Sequence, residues 1–222
     1  YLGAPMSYLW LYTTPPALVW EEMSKAYDHG ASKIWIANVG DLKPGEIGTE
    51  FFLQMAWDIN RWNADNLPDF LTEWAGREFG PENARDIAQI MQRYYQLNYQ
   101  RKPEHLQWWL PNQQPKGSPL TEREIAQRLT AFGALKAQAE AAYARLPSER
   151  RDAFYELVLY PVTGATLANR RYFNGELAAR HADGTDAAKL SAAADTADHD
   201  LKEATRRFND DIAGGKWRGM VY

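Results

Sequence analysis

Cysteine is missing altogether from the 222-residue sequence, which excludes disulfides and thiolate metal sites. A cysteine-free chain suits the cytosol and the periplasm equally, so residue usage leaves the compartment unknown. No run of Lys and Arg stands out, and a net charge of −4 offers nothing to neutralise a phosphate backbone, so no nucleic-acid partner is expected. No stretch approaches the roughly eighteen apolar residues that span a bilayer, and no membrane partner is expected. His29, His105, His181 and His199 have no ligand spacing with one another or with carboxylates, so neither a metal nor a cofactor is expected. An initiator Met is also lacking. The chain opens at Tyr1 in sequence that reads like the middle of a domain and stops abruptly at Val221-Tyr222, as a fragment of a longer protein would. The lack of a signal peptide therefore carries no weight.

What the chain has in quantity is apolar and aromatic side chains, 45% and 13% of residues, far above the level of disordered chains. Nine Trp and twelve Tyr suit both a core and a sugar-binding wall, so their number decides neither. The organising stretch is Ala31 to Asp58. Its segment Lys33 to Val39 is short, apolar and β-branched, which predicts a strand buried on both faces as in a parallel sheet. Gly40 and Asp41 can turn the chain, Lys43-Pro44-Gly45-Glu46 suits a first helical turn, and Phe51, Phe52, Met55 and Ala56 recur at helical spacing. Strand, polar loop and helix in that order place Asn38 and Asp41 where α/β barrels and doubly wound sheets meet ligands.

Before this stretch, Thr14 can cap and Pro15-Pro16 can open a helix over Ala17 to His29, with Val19, Met23 and Tyr27 along one side and Gly30 as its stop. A single strand cannot make a sheet, so its neighbours are expected before Tyr1. Beyond Asn60 only helices are predicted. Asp69 to Phe79 buries Phe70, Leu71, Trp74 and Ala75, and after Pro81 a second helix carries Ile87, Ile90, Met91, Tyr94 and Leu97. Leu110 to Pro119 is a loop. Thr121 and Glu124 form a capping box for a helix reaching Arg145, and a further helix from Glu149 to Ala182 should kink at Pro161. The last helix has Leu190, Ala194, Ala197, Leu201, Ala204 and Phe208 as its seam and ends at Gly214-Gly215. The expected fold class is mainly α: residues 1–60 the last βα units of an α/β barrel, residues 61–222 an all-α bundle of about five helices.

The pattern YLGAPMSYLW at the start, IWIANVGDLKPGEIGTEFF followed by AWD, then LNYQRKPEH from Leu97 and GKWRGM from Gly215, resembles glycoside hydrolase family 115, the xylan α-1,2-glucuronidases. NVGDLKP is the specific part of the match. The resemblance implies a (β/α)8 catalytic barrel followed by a helical bundle, of which this chain would be the end of the barrel and the bundle. It implies an inverting glycosidase that removes glucuronic acid, or its 4-O-methyl ether, from xylan or xylo-oligosaccharides, a reaction that needs one carboxylic acid and one carboxylate far enough apart to admit water. The family's catalytic carboxylates belong to earlier strands, so no catalytic residue is expected in this fragment, which should be inactive alone. The family's pocket Tyr matches Tyr1 and its pocket Asn matches Asn38. A bacterial periplasmic or secreted location is suggested, and a homodimer through other domains of the parent is left open.

Each candidate has a plainer reading. Asn38 could hydrogen-bond a sugar hydroxyl or simply cap a turn, and Tyr1 could reach the sugar or a water, or be a frayed end. Asp41 lacks a carboxylate partner nearby and reads as a turn former that pairs with Lys43; Lys43 could attract a uronate but is more ordinarily a surface lysine. Asp58 reads as a local cap. Trp35, Trp57, Trp62 and Trp74 read better as core than as a sugar platform. The rival to the glycosidase reading is an autonomous helical interaction or scaffolding module without catalysis. The segment Lys33 to Val39 separates the two: unpaired it needs outside neighbours, paired within the chain it favours the module.

Overall fold

A computed structural model describes residues 10–39, 42–106, 117–182 and 184–221. Among these every regular element is helical: α1 Pro16–Asp28, α2 Glu46–Trp57, α3 Asp69–Phe79, α4 Ala84–Gln100, α5 Glu122–Arg145, α6 Ser148–Phe154, α7 Tyr160–Arg180 and α8 Ala187–Arg206. They pack as two compact units, one ending at Gln100 and one starting at Arg101. The first unit holds α1 to α4 and the second α5 to α8, with α6 and α7 running on as one helix.

In the first unit, the core forms where α2 meets α3. Phe51 sits edge-on to Phe70 at 4.8 Å and tilted against Trp62 at 6.1 Å, ring centre to ring centre, spacings at which aromatic pairs attract. On the rim the Arg77 guanidinium grips Glu50 with two bonds, Nη1 to Oε1 at 2.9 Å and Nη2 to Oε2 at 2.6 Å. The predicted stripe of α4 is buried as expected: Ile87, Ile90, Met91, Tyr94 and Leu97 all face inward. Thr14 does not cap α1: Pro15, which has no capping side chain, holds that position in extended geometry, and the Leu18 N–H donates to the Pro15 carbonyl at 3.0 Å. Gly30 ends the helix with φ +97°, open to a residue without Cβ.

The predicted strand is the clearest difference. Residues 34–39 form no regular structure, and Ile34 and Ile36 are 78% and 90% exposed rather than buried on both faces. A strand needs a partner for its ladder, and none is present among the described residues. Trp35 alone is covered on one side, 5.8 Å from Phe52. On α2, Ala56 and Trp57 turn outward instead of joining the apolar stripe, and Trp57 is 93% exposed.

In the second unit α7 is the central helix, buried against α5 and α8. Its buried residues mix small and large, Gly164, Ala165 and Ala168 beside Val162, Leu167, Tyr172 and Phe173. Phe132, Leu135 and Ala139 from α5 and Ala194 and Ala197 from α8 complete the core, whereas Leu129, Leu190, Leu201 and Ala204 of the predicted seams are only half-buried. The capping box at Thr121 and Glu124 is present with both reciprocal bonds. Pro161 does not interrupt the helix by a simple break. A π-turn over Tyr155–Leu159 precedes it, with the Tyr160 N–H donating to the Tyr155 carbonyl, so the wider turn absorbs the missing donor. Gly214 and Gly215 lie in left-handed geometry at the end of the chain, where the predicted stop stands. The predicted loop Leu110 to Pro119 lies mostly outside the described residues.

Candidate functional site

The candidate site begins at the end of the irregular segment 34–39. Asn38 lies exposed in that segment, two residues beyond Ile36. The chain is described again from Leu42, where the Gly45 N–H donates to the Leu42 carbonyl at 2.7 Å and closes a tight turn into α2. Gly45 takes the cap position, so Pro44 precedes the helix instead of lying in its first turn. Lys43 is held back against this turn, its Nζ donating to Glu46 Oε1 at 2.7 Å. A negative side chain in the first turn also suits the positive end of the helix dipole. Tyr1 and Asp41 lie outside the described residues, so of the four sequence-derived candidates the structure describes Asn38 and Lys43.

What positions this turn is the packing behind it. Tyr12, buried, lies against the first turn of α2 at Gly48 and edge-on to Tyr95 of α4, 6.4 Å between ring centres. Burial pushes the Tyr12 hydroxyl well above the usual phenol range, against a smaller opposing effect from its bond with Thr14. Asp58 forms a local turn as expected, accepting from the Asn60 N–H at 3.0 Å. Trp62 and Trp74 are core residues; the Trp62 indole donates to Gln54 Oε1 at 3.1 Å. Trp57 is the exception, standing with Leu42 and Leu53 in an open cavity of about 540 Å³ rimmed by Glu46, Glu50 and Arg61.

Among the described residues no group of three or more His, Asp and Glu is arranged to hold a metal ion, and no helix is long and apolar enough to cross a membrane. The site as described offers an amide, a paired lysine and an open apolar surface. Among the described residues Glu46 and Glu50 rim that surface, Glu46 held by Lys43 and Glu50 by Arg77. Sequence reasoning missed one feature: exposed Gln89, Gln92, Gln96 and Tyr99, which share a face of α4 at spacings of three, four and three. Polar helical periodicity carries that signal, although it is hard to tell from an ordinary solvated face.

No curated protein matches the chain. The model of glycosyl hydrolase family 115 matches residues 1–105. Over its whole length the chain matches a solved structure with a TM-score of 0.89 and 36% identity, covering 29% of that longer chain. That protein is described as a family GH115 4-O-methyl-α-glucuronidase with specificity for decorated arabinogalactans. The family match runs across the Asn38 turn and through α4, and the structural match carries on to the last residue; the chain belongs to glycoside hydrolase family 115.

Proposed function

We propose that the chain is the closing part of the barrel and the helical bundle of an α-glucuronidase, which removes α-1,2-linked glucuronic acid or its 4-O-methyl ether from xylan with inversion. The observation that carries this reading is the exposed apolar segment that leads to Asn38. Two isoleucines left 78% and 90% exposed forgo most of the roughly 1.5–3 kcal/mol that each would gain on burial, a loss that neighbouring strands in a longer protein would remove. The same observation weighs against an autonomous scaffolding module, which would cover this segment itself. In this reading the barrel part ends near residue 60 and the bundle follows.

Asn38 then stands at a strand's C-terminal end, where its amide can donate to one sugar hydroxyl and accept from another. Tyr1 adds a phenol to the same pocket. Lys43 and Asp41 shape the loop, Lys43 through its bond to Glu46. The acid and base of the inverting pair come from earlier strands, spaced to admit the attacking water. The main chain that carries the uronate has a second reading: the solved relative's specificity for decorated arabinogalactans favours galactan over xylan.

The test is release of glucuronic acid by the full-length protein from glucuronoxylan and from a glucuronate-bearing arabinogalactan, wild type against Asn38→Ala. Release by the wild type and a loss of at least a hundredfold in kcat/KM with Asn38→Ala, at unchanged thermal stability, supports the reading. The preferred polymer decides between the two main chains. An active wild type with an equally active Asn38→Ala removes Asn38 from the pocket, and an inactive wild type on both polymers overturns the glucuronidase.

A further inference from the structure

We propose that a groove formed by the start of α1, the start of α3 and one face of α4 binds a neutral stretch of polysaccharide main chain. The inference rests on the glycosidase reading for the class of ligand and shares no residue with the Asn38 turn. The groove encloses about 610 Å³, within the range of sites that hold small ligands.

Its floor is apolar and closed. Pro16, Leu71, Ala88 and Tyr95 line it and are themselves buried, offering a surface against which the C–H face of a pyranose ring loses water. Its long wall is polar. Gln89, Gln92 and Gln96 project from one face of α4, each exposed, and each amide has both donors and an acceptor, as vicinal hydroxyls require. Gln96 uses its oxygen for Arg93 at 3.3 Å, which leaves its amide N–H groups for a ligand. Tyr99 closes the stripe, 59% exposed, where Tyr94 and Tyr95 of the same helix are buried. An open ring beside a row of amides lets a sugar stack and hydrogen-bond at once. From Gln89 to Tyr99 the stripe runs about 15 Å along the helix, long enough for several sugar units.

The charges around the groove select against the uronate itself. Arg85 shares the lining with Glu21 and Asp69, so the groove gathers no excess of positive charge for a carboxylate. A protein partner fits less well: its hot spots want large apolar anchors at the centre, whereas this rim is amide, hydroxyl and small charged groups. A neutral main chain satisfies both conditions.

The test is isothermal titration of the full-length protein with two probes, an unsubstituted xylo-oligosaccharide of six units and a galacto-oligosaccharide of the same length. Wild type is expected to bind one of them saturably. Tyr99→Ala and Gln92→Ala, both at exposed positions that the fold does not depend on, are expected to weaken that binding at least tenfold, whereas Tyr27→Ala on α1 leaves it unchanged. Binding of neither probe, or binding that survives both groove substitutions, overturns the proposal. Uronic-acid release by the wild type, measured on the same preparation, reads the glycosidase assignment separately: release without groove binding sinks only the groove, and groove binding without release sinks only the glycosidase.

Discussion

Tyr12 and Gly48 touch so closely that a Cβ on Gly48 would lie 1.9 Å from the Tyr12 hydroxyl oxygen and 2.1 Å from the ring carbon that bears it. Tyr12 cannot readily retreat, because it is buried and packed edge-on to Tyr95. Gly48→Ala should therefore destabilise the first unit by about 1–3 kcal/mol, the usual cost of forcing extra volume into a packed site. The better helix propensity of Ala returns at most about 1 kcal/mol, so the clash wins. Urea denaturation measures the difference. A midpoint equal to wild type would mean that Tyr12 swings aside and that the packing behind the Asn38 turn is softer than its geometry.

Arg128 ties α5 to α7 and to the start of the second unit. Its Nε donates to Asn169 Oδ1 at 2.6 Å, its Nη2 to the Arg101 carbonyl at 2.9 Å, and its guanidinium lies 4.9 Å from the Phe132 ring centre. Burial lowers its pKa to about 10, with the Arg101 charge adding to the effect. Asn169 is fully buried and spends its amide N–H on the Ala165 carbonyl, so Arg128→Leu strands its oxygen. A loss of about 2–4 kcal/mol is expected, since a buried acceptor without a donor bears its full desolvation cost. Arg128→Lys should recover less than half, because one ammonium cannot reach both acceptors in the plane of the guanidinium. A double-mutant cycle with Asn169→Leu checks the mechanism: strictly additive losses would show that the two side chains do not act together.

Local rules were legible where they needed only neighbours along the chain. The Thr121–Glu124 capping box, the stop at Gly30 and the stripes of α3, α4 and α5 all follow from spacing and cap chemistry, and each is present. Thr14 shows how such a rule fails: the helix starts one residue later, so Pro15 takes the cap position and its carbonyl accepts from the Leu18 N–H. Pro161 shows another failure, since a missing N–H predicts disruption without saying whether a kink or a π-turn absorbs it. Ile34, Ile36 and Trp57 lay beyond reach for a different reason. Apolar character predicts burial, but whether a side chain is buried depends on what packs against it, and spacing along the chain names no partner. Around Asn38 the motif NVGDLKP was legible as part of the family match, but the strand expected before it is absent among the described residues, whereas the Gln89 to Tyr99 face looks in sequence like any solvated helix surface.

Ile36 offers a test of what its exposure means. In the 222-residue chain it is 90% exposed and packs on nothing that would miss it, so Ile36→Ser should change stability by less than about 0.5 kcal/mol. In the full-length protein the proposed barrel gives the same side chain neighbouring strands and a filled interior. There Ile36→Ser should cost about 2–4 kcal/mol, the range for deleting a buried branched side chain, and uronic-acid release should fall with the folded fraction. Parallel urea titrations of the short and long chains measure both numbers. A large loss only in the long chain means that strands outside these residues cover Ile36. A negligible loss in both would leave the segment an exposed arm, and the barrel reading would lose the observation on which it rests.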